Sequence, residues 1–410
     1  MFLLFKIISL IYLLFSSNFW LGLLLPSTPV IIIINLVMGW YVISNRGVRI
    51  KITARSIMLV STLIAIMLWY SVISGFIFGI VMLLSYLPAV YLYFLPYERK
   101  IKLLYFVTKW LGILLIGSII VFISTLVTVY PPPLAIFYLE DLNYDPFLNY
   151  GFYLQQTSEN SIVPRFNAFF LEPGHLSIVC AFLIIANKFN FKDNKYCYVL
   201  LISVLLSFSL AGYVILGVSY FLYSVKDIKT LIGVGLVGGI LFLGSQLWNN
   251  GDNVVNDLIF SRLQYDENKG VSGNNRTTPE TDALFDVMVE SGEIIQGIEN
   301  KDDIRIRGAG YKVFLIRYGV ITTILVFIFY LCLIPKKVNR KYAFVFVSMI
   351  VLCFLQRAYP WWFSWLLPFV LGTGTTFKRI KYSHGRSVPN KMTNNSYLSH
   401  NDLNDKLVLR

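Results

Sequence analysis

The chain has 410 residues, of which 56% are hydrophobic and only 14% are charged. Its long apolar runs match the about 30 Å hydrocarbon core of a bilayer, which excludes a soluble globular domain. The formal net charge of +13 does not indicate nucleic-acid binding, because the basic residues lie in short loops and ends beside apolar segments, as the positive-inside rule predicts.

Twelve apolar segments predict an all-α polytopic membrane protein with a single membrane domain over residues 1–381. Loops rich in Lys and Arg follow every second segment, so both termini are expected in the cytoplasm. On this threading, 17 of the 22 carboxylates fall on the outer side and 25 of the 35 Lys and Arg on the cytoplasmic side. The predicted spans are 7–25, 29–45, 56–74, 75–95, 110–130, 165–187, 196–208, 210–225, 230–248, 312–334, 342–356 and 361–377.

The seventh and eighth spans are predicted to form a short hairpin. Residues 196–225 are long for one membrane helix and short for two, and basic loops flank both ends. Both ends are therefore expected on the cytoplasmic face, with a turn near Ser209-Leu210-Ala211-Gly212. Legs this short do not cross the whole hydrocarbon core, so a water-filled vestibule is expected above the turn.

Two outer loops are large enough to contribute to a site. The first, 131–164, is acidic, and the second, 249–311, holds 12 carboxylates against six Lys and Arg. The sequence of the second loop also predicts an amphipathic helix that lies on the protein or on the membrane interface. Its N-cap is Thr278, Pro279 takes the first position and Gly292 ends it, and its apolar stripe is formed by Ala283, Leu284, Val287 and Met288. The polar tail, 382–410, is predicted to be disordered in the cytoplasm.

The most polar stretch within an apolar span is RFNAFFLEPGH, from Arg165 to His175. On a helix, Glu172 would lie about 10 Å deeper than Arg165. An ionisable group at such depth is costly and indicates function or a partner. Pro173-Gly174 is expected to break the helix, and His175 to hydrogen-bond to Glu172 or to share its proton. The alternative is a structural Glu172–Arg ion pair between helices.

Six arginines on the outer side are candidates for binding phosphate, because a guanidinium holds phosphate oxygens in a planar, bidentate arrangement. Four lie in the second loop and two lie close to the hydrocarbon; they are Arg262, Arg276, Arg305 and Arg307, and Arg317 and Arg357. Salt bridges with the many loop carboxylates are the alternative. Tyr359, beside Arg357, is a candidate for stacking on a sugar, or else belongs to an interfacial aromatic belt.

Taken together, the LEPGH segment, the FSLAGY turn, the large outer loop with Arg276 and the GAGYKVFLIRYG entry into the tenth span resemble the bacterial O-antigen and capsule repeat-unit polymerases (the Wzy family), which are related to the O-antigen ligases. The resemblance implies a GT-C-like inner-membrane glycosyltransferase of lipopolysaccharide or capsule biosynthesis. It would transfer a glycan from undecaprenyl diphosphate onto the next lipid-linked repeat unit. Arg165, Glu172 with Pro173, Gly212, and Arg262 to Arg307 fill the places of the family pattern.

The chemistry expected of such an enzyme fits these residues. Glu172 is the candidate general base, with His175 beside it, and the arginines, including Arg165, would stabilise the diphosphate leaving group. No cofactor and no metal are expected, because His175 has no second histidine on the outer side. Expected partners are the lipid-linked oligosaccharide as donor and acceptor, membrane lipid, and a chain-length regulator; nucleic acid is not expected.

Three other functions remain open from the sequence. An O-antigen ligase would share the donor, but ligases carry a functional histidine in the large outer loop, and residues 249–311 contain none. A lipid-linked oligosaccharide flippase or exporter is expected to show internal repeats and charges at mid-membrane. A purely structural membrane subunit would leave Glu172 and Arg357 unexplained.

Overall fold

The computed structural model is mostly helical, as expected of a helical membrane protein. It describes residues 1–23, 27–48, 52–127, 132–139, 144–156, 164–224, 243–248, 278–298, 310–336 and 340–375, with a few short pieces and single residues between them. Within these ranges, five helices are long and apolar enough to cross a membrane, and five shorter helices are apolar. The protein is therefore membrane-embedded; the prediction of twelve spans is tested only in part.

Most helix bounds agree with the predicted spans. In chain order the helices are α1 Phe2–Phe15, α2 Trp20–Leu23, α3 Ser27–Ser44, α4 Ala54–Ser74, α5 Phe76–Phe94, α6 Tyr97–Val127, α7 Pro173–Ala186, α8 Tyr196–Leu206, α9 Leu210–Ser224, α10 Pro279–Ser291, α11 Gly310–Leu333, α12 Arg340–Gln356 and α13 Phe363–Gly374. The ninth predicted span, 230–248, and the tail, 382–410, lie mostly or wholly outside the described residues.

The first span is not the continuous helix 7–25 that hydropathy predicts. α1 ends at Phe15, and Asn18 adopts a left-handed conformation with φ of +56°. The backbone then pairs with the segment before α7: Trp20 N–H donates to Phe169 O at 3.3 Å, and Leu171 N–H donates to Asn18 O at 3.1 Å. Backbone pairing between distant segments is invisible to a hydropathy window, which explains the error.

The fifth and sixth spans also differ from prediction. α6 begins at Tyr97 rather than at 110, so the basic residues expected in a loop lie in its first turns. Lys100 is buried there and donates to Tyr93 O at 2.9 Å. The sixth span, predicted over 165–187, is helical only from Pro173, because Pro173 occupies the first helical position and begins the helix instead of breaking it.

The first predicted outer loop contains β-structure, which the all-α fold class did not include. Strands β1 Ala135–Leu139, β2 Tyr144–Asn149 and β3 Leu154–Gln156 form an antiparallel sheet in the order β1-β2-β3. Ile136 pairs with Leu148, and Phe147 pairs with Gln156. Leu154 N–H donates to Ala168 O at 2.8 Å, which attaches the sheet to the segment before α7.

Two short helices, α7 and α13, form the centre of the bundle. Every residue of α7 from Gly174 to Ala186 is buried, as is every residue of α13 from Phe363 to Gly374. α8 and α9 are separate short helices, as the hairpin prediction expected, and both pack against α7. At the α7–α9 contact, a Cβ on Gly212 would lie 2.5 Å from Ser177 Cβ, so only glycine permits this approach.

Basic side chains connect helix ends on one face of the bundle, which we call the basic face. Each donates to a carbonyl in or just after the last turn of another helix, where the helix dipole favours a positive charge. The pairs are Arg55 with Ile334 O after α11, Lys100 with Tyr93 O of α5, Lys188 with Thr375 O at the end of α13, and Lys341 with Tyr223 O of α9. The N-terminus lies here too, with Arg99 over the Phe2 ring at 5.8 Å.

The helix expected between Thr278 and Gly292 is present as α10, but its buried face differs from the prediction. Thr278 caps α10 by accepting from Thr281 N–H, and Gly292 ends the helix with φ of +79°. Met288 is buried and Leu284 is partly buried, but Ala283 and Val287 are exposed. Thr281 and Phe285 complete the packed face instead. The Lys312 Nζ–Asp282 Oδ1 contact of 2.6 Å attaches α10 to α11.

Candidate functional site

Glu172 lies where segment 164–172, which is irregular and turns at Ala168 with φ of +51°, leads into α7. Its backbone is extended, with φ of −132° and ψ of 141°, and it is the N-cap residue of the helix. An N-cap carboxylate usually accepts from the first free N–H groups of its own helix. The Glu172 carboxylate makes no such cap bond. It is directed instead to the guanidinium of Arg357, to which it is ion-paired through Oε2 and Nη2.

Arg357 reaches Glu172 from just beyond the end of α12. Two glycines permit the approach: a Cβ on Gly174 would lie 2.8 Å from Arg357 Nη2, and one on Gly310 would lie 2.1 Å from Arg357 N. The start of α7, the end of α12 and the start of α11 therefore meet around one ion pair. The side chains are 11% exposed for Arg357 and 26% for Glu172, so the pair is largely shielded yet reachable.

His175 lies one turn into α7, beside this pair. Its side chain is 1% exposed, and its Nε2 lies 3.9 Å from Glu172 Oε2, which is longer than a direct hydrogen bond. The His175 and Trp362 rings form a T-shaped contact, with centroids 5.0 Å apart and planes at 77°. Trp362 is stacked face to face on Tyr359, at 4.6 Å and 6°. The predicted residues Glu172, His175, Arg357 and Tyr359 are thus brought together.

Arg165 is not on the same helix as Glu172, so the estimated 10 Å depth difference does not apply. Segment 164–172 is not helical, and Arg165 donates through Nε to Ser207 O at 3.4 Å and through Nη2 to Phe208 O at 3.3 Å. These carbonyls belong to the α8–α9 connection, whose Ser209 lies close to Gly174. Arg165 therefore holds the α8–α9 connection beside the start of α7.

Arg317 lies on the first half of α11 and is connected to the site through aromatic rings. Its guanidinium interacts with the phenol of Tyr318. The Tyr318 ring contacts Trp361 at 5.7 Å, and Trp361 contacts Tyr359 at 5.7 Å. The Arg317 Nε is buried, and within the described ranges nothing accepts a hydrogen bond from it. A buried donor of this kind is satisfied when a ligand supplies an acceptor.

The remaining predicted residues cannot be placed. Arg262, Arg276, Arg305 and Arg307 lie outside the described residues. Across the part of the chain that is described, no group of three or more His, Cys, Asp or Glu side chains is arranged to hold a metal ion.

The site lies at the end of the bundle opposite the basic face. α7 and α13 begin at the site and end at the basic face, and α8 and α12 run the other way. α7, α8, α9 and α13 have 14, 11, 15 and 12 residues. Helices of these lengths extend about 17 to 23 Å, which is less than the about 30 Å hydrocarbon core. These lengths are compatible with the vestibule predicted above the α8–α9 turn, which stays a prediction.

No family model, no curated protein and no solved structure matches this chain. The function is therefore argued from the site itself. A carboxylate, an arginine, an imidazole and stacked aromatic rings together offer a proton acceptor, an anion-binding group and a flat apolar surface.

Sequence reasoning missed two contributors to this geometry. Gly310 was read only as part of the entry into the tenth span, although its lack of a side chain lets α11 touch the Arg357 backbone. No sequence signal linked Trp362 to His175, although their ring centroids lie 5.0 Å apart. The small-residue run Gly308-Ala309-Gly310 was the available signal for a close approach.

Proposed function

We propose that this chain is a bacterial inner-membrane glycosyltransferase that polymerises undecaprenyl-diphosphate-linked oligosaccharide repeat units into O-antigen or capsular polysaccharide. The observation that carries the proposal is the partly buried Glu172–Arg357 pair, with His175 and the Tyr359–Trp362 stack beside it. A reacting carboxylate and an anion-binding arginine at one end of a membrane bundle suit a donor that is itself anchored in the membrane.

The orientation of the protein in the membrane is inferred from the distribution of its Lys and Arg residues. The positive-inside rule favours the basic face in the cytoplasm, which puts both termini there and the site toward the outer side. A sugar donor reached from that side is lipid-linked, because nucleotide sugars are cytoplasmic.

The Glu172–Arg357 ion pair supports a coupling between binding of the lipid diphosphate donor and the strength of Glu172 as a base. A carboxylate paired with a guanidinium is a weak base, because the positive charge stabilises its ionised form. A diphosphate competes for Arg357 through charge-assisted hydrogen bonds. Once Arg357 turns toward the diphosphate, Glu172 loses its partner and becomes a stronger base in a shielded site. Glu172 would then be activated only when a donor is bound.

The proposed transfer has one nucleophilic step. Glu172 accepts the proton of an acceptor hydroxyl, the hydroxyl oxygen attacks the anomeric carbon of the donor glycan, and the bond from that carbon to the diphosphate oxygen breaks. Undecaprenyl diphosphate leaves with the bonding electrons. Arg357 and Arg317 stabilise the negative charge that develops on the leaving group. His175 relays the proton from Glu172, and Tyr359 supports a sugar ring.

A gene deletion tests the reaction class. Polymerase predicts loss of the long-chain ladder of surface polysaccharide on a gel, with one repeat unit still attached to its final carrier. Loss of all attached glycan while long polymer accumulates on undecaprenyl diphosphate would identify a ligase. Single lipid-linked units trapped on the cytoplasmic side would identify a flippase, and an unchanged ladder would overturn all three assignments.

A further inference from the structure

The sheet β1–β3 has an exposed apolar face, which is not expected of a loop that lies in water. Side chains from β1 and from the connection between β2 and β3 are widely exposed: Leu134 at 78%, Ile136 at 48%, Tyr138 at 65% and Phe152 at 50%. Leu134, Ile136 and Tyr138 alternate along the chain, so they lie on one face of the strand. Exposed apolar patches of this kind indicate a contact surface.

The sheet packs against the side of α6 and does not lie beyond its end. Phe152 lies against α6 at Gly117, where a Cβ would be 3.8 Å from Phe152 Cδ1. Tyr153 contacts Phe122 with ring centroids 5.2 Å apart. Gly117 precedes the end of α6 at Val127 by ten residues, which corresponds to about 15 Å along the helix. The β2–β3 connection thus reaches well below the end of an apolar candidate span.

The exposed face of the sheet continues an apolar stripe on α6. Exposed side chains recur at helical spacing along this helix, at Ile113, Ile116, Ile120, Ile123 and Val127. On a membrane-crossing helix such a stripe faces the acyl chains. Gly117 lies at its border, so Phe152 extends the same surface onto the sheet. The lower part of the sheet, 134–137 and 147–154, contains no charged residue.

The edges of the sheet limit how it meets the membrane. β3 is tied to the protein by the Leu154 N–H to Ala168 O bond, whereas β1 is an edge strand of the described sheet. The polar backbone groups of an open edge need partners and do not lie in pure hydrocarbon. The β1 edge is therefore expected to meet headgroups or water, while the exposed side-chain face meets acyl chains.

We propose that β1–β3 is a re-entrant interfacial sheet whose exposed face packs on the acyl chains of the leaflet at the site end of the bundle. Through the bond to Ala168, the sheet sets the depth of segment 164–172, and with it Glu172, relative to the lipid headgroups. This proposal holds whatever reaction the site performs.

Spin-label accessibility tests it. In a variant with the four buried cysteines Cys180, Cys197, Cys332 and Cys353 replaced by Ala, single cysteines at Ile136 and Phe152 are labelled in lipid nanodiscs, with Leu134 and Tyr138 as replacements if either variant misfolds. Oxygen, which concentrates in lipid, is compared with a water-soluble nickel chelate. Ile120→Cys is the lipid-facing reference, and Glu290→Cys, at an exposed carboxylate of α10, is the water-facing reference.

The expected result is an oxygen-to-nickel collision ratio at Ile136 and Phe152 that matches Ile120 and exceeds Glu290. A ratio matching Glu290 would overturn the proposal, because the face would then be in water. Low collision rates with both reagents would also overturn it, since they would mean that the face is covered by protein, such as a second copy.

Discussion

The Glu172 carboxylate is ion-paired with the Arg357 guanidinium, although 185 residues of chain separate them. The pair joins the start of α7 to the end of α12 and lies against Gly174 and Gly310. The sequence left open a purely structural ion pair between helices. The pair does join two helices, but the Glu172 side chain is 26% exposed, so its charge is also accessible.

Removal of one charge of this pair should cost stability as well as activity. Loss of one partner of a buried pair costs about 3–5 kcal/mol, and the partial exposure of Glu172 lowers the expected loss for Arg357→Ala to about 1–3 kcal/mol. The double variant Glu172→Gln/Arg357→Gln, which leaves no lone charge, should recover most of the free energy of unfolding. Thermal unfolding in detergent measures both. A double variant less stable than either single one would exclude a direct pairwise contact.

Trp362 should act as a positioning residue for His175. Trp362→Leu removes the edge contact with the imidazole, which is worth about 0.5–1.5 kcal/mol. We expect a modest loss of stability, a larger loss of polymer and a shifted pH dependence of the residual activity. Trp361→Leu is the matched control, because Trp361 contacts Phe314, Tyr318 and Tyr359 and has no ring contact with His175 among the described pairs. Equal pH profiles for the two variants would remove Trp362 from this role.

Two glycines with positive φ, Gly297 and Gly319, meet where the chain after the short 3-10 turn Glu293–Ile295 packs on α11. Gly319, with φ of +77°, breaks α11, and Ile298 N–H donates to Ile316 O at 2.9 Å beside it. A Cβ on Gly319 would lie 2.4 Å from the Gln296 backbone. Gly319→Ala should therefore destabilise the protein well beyond Gly292→Ala, which has φ of +79° but open space around it and should cost only the backbone strain of about 1–2 kcal/mol. Equal melting temperatures for the two would contradict the close approach.

The basic face should contribute stability as well as topology. Lys341→Met removes a donor to the end of α9 and should lower the melting temperature. Lys192→Met is the matched control, since it removes one positive charge at an exposed position of the same face. If both variants melt alike, the carbonyl contact of Lys341 contributes nothing beyond charge.

Lys188 also predicts a specific pH dependence. Burial lowers the pKa of Lys188 from 10.5 to about 8, so the folded protein binds fewer protons than the unfolded chain between these values. Its stability should therefore rise with pH across the window from about 8 to 10.5. The slope should be smaller in Lys188→Met than in wild type, with Lys192→Met as the reference. An identical slope in wild type and Lys188→Met would show that this lysine titrates normally.

Helix positions were largely predictable from sequence because apolar length and local caps determine them. Thr278, Pro279 and Gly292 mark α10 at both ends, as local chemistry dictates. α6 begins earlier than predicted, at Tyr97. Its first turns bury Leu103, Leu104 and Val107, but the charged residues near them lower the mean hydropathy of this stretch and hide the helix from a hydropathy window.

The site was predictable as a set of residues but not as an arrangement. Glu172 and Arg357 each stand out as charges near hydrocarbon, yet neither periodicity nor spacing connects them across the chain. Segment 164–172 was read as helix because it is apolar; its backbone groups are instead bonded to Asn18, Trp20 and Leu154. Such long-range pairing depends on the whole fold.

The most direct test of the central claim is polymerisation by purified protein in liposomes supplied with undecaprenyl-diphosphate-linked repeat units. Wild type should convert single units into a ladder of longer chains. Glu172→Gln should be folded, with a melting temperature that shows an intact bundle, and should leave the units unextended, whereas Glu290→Gln, at an exposed carboxylate of α10, should match wild type. Chains of normal length and yield from Glu172→Gln would contradict the account, because the reaction would then not depend on this carboxylate.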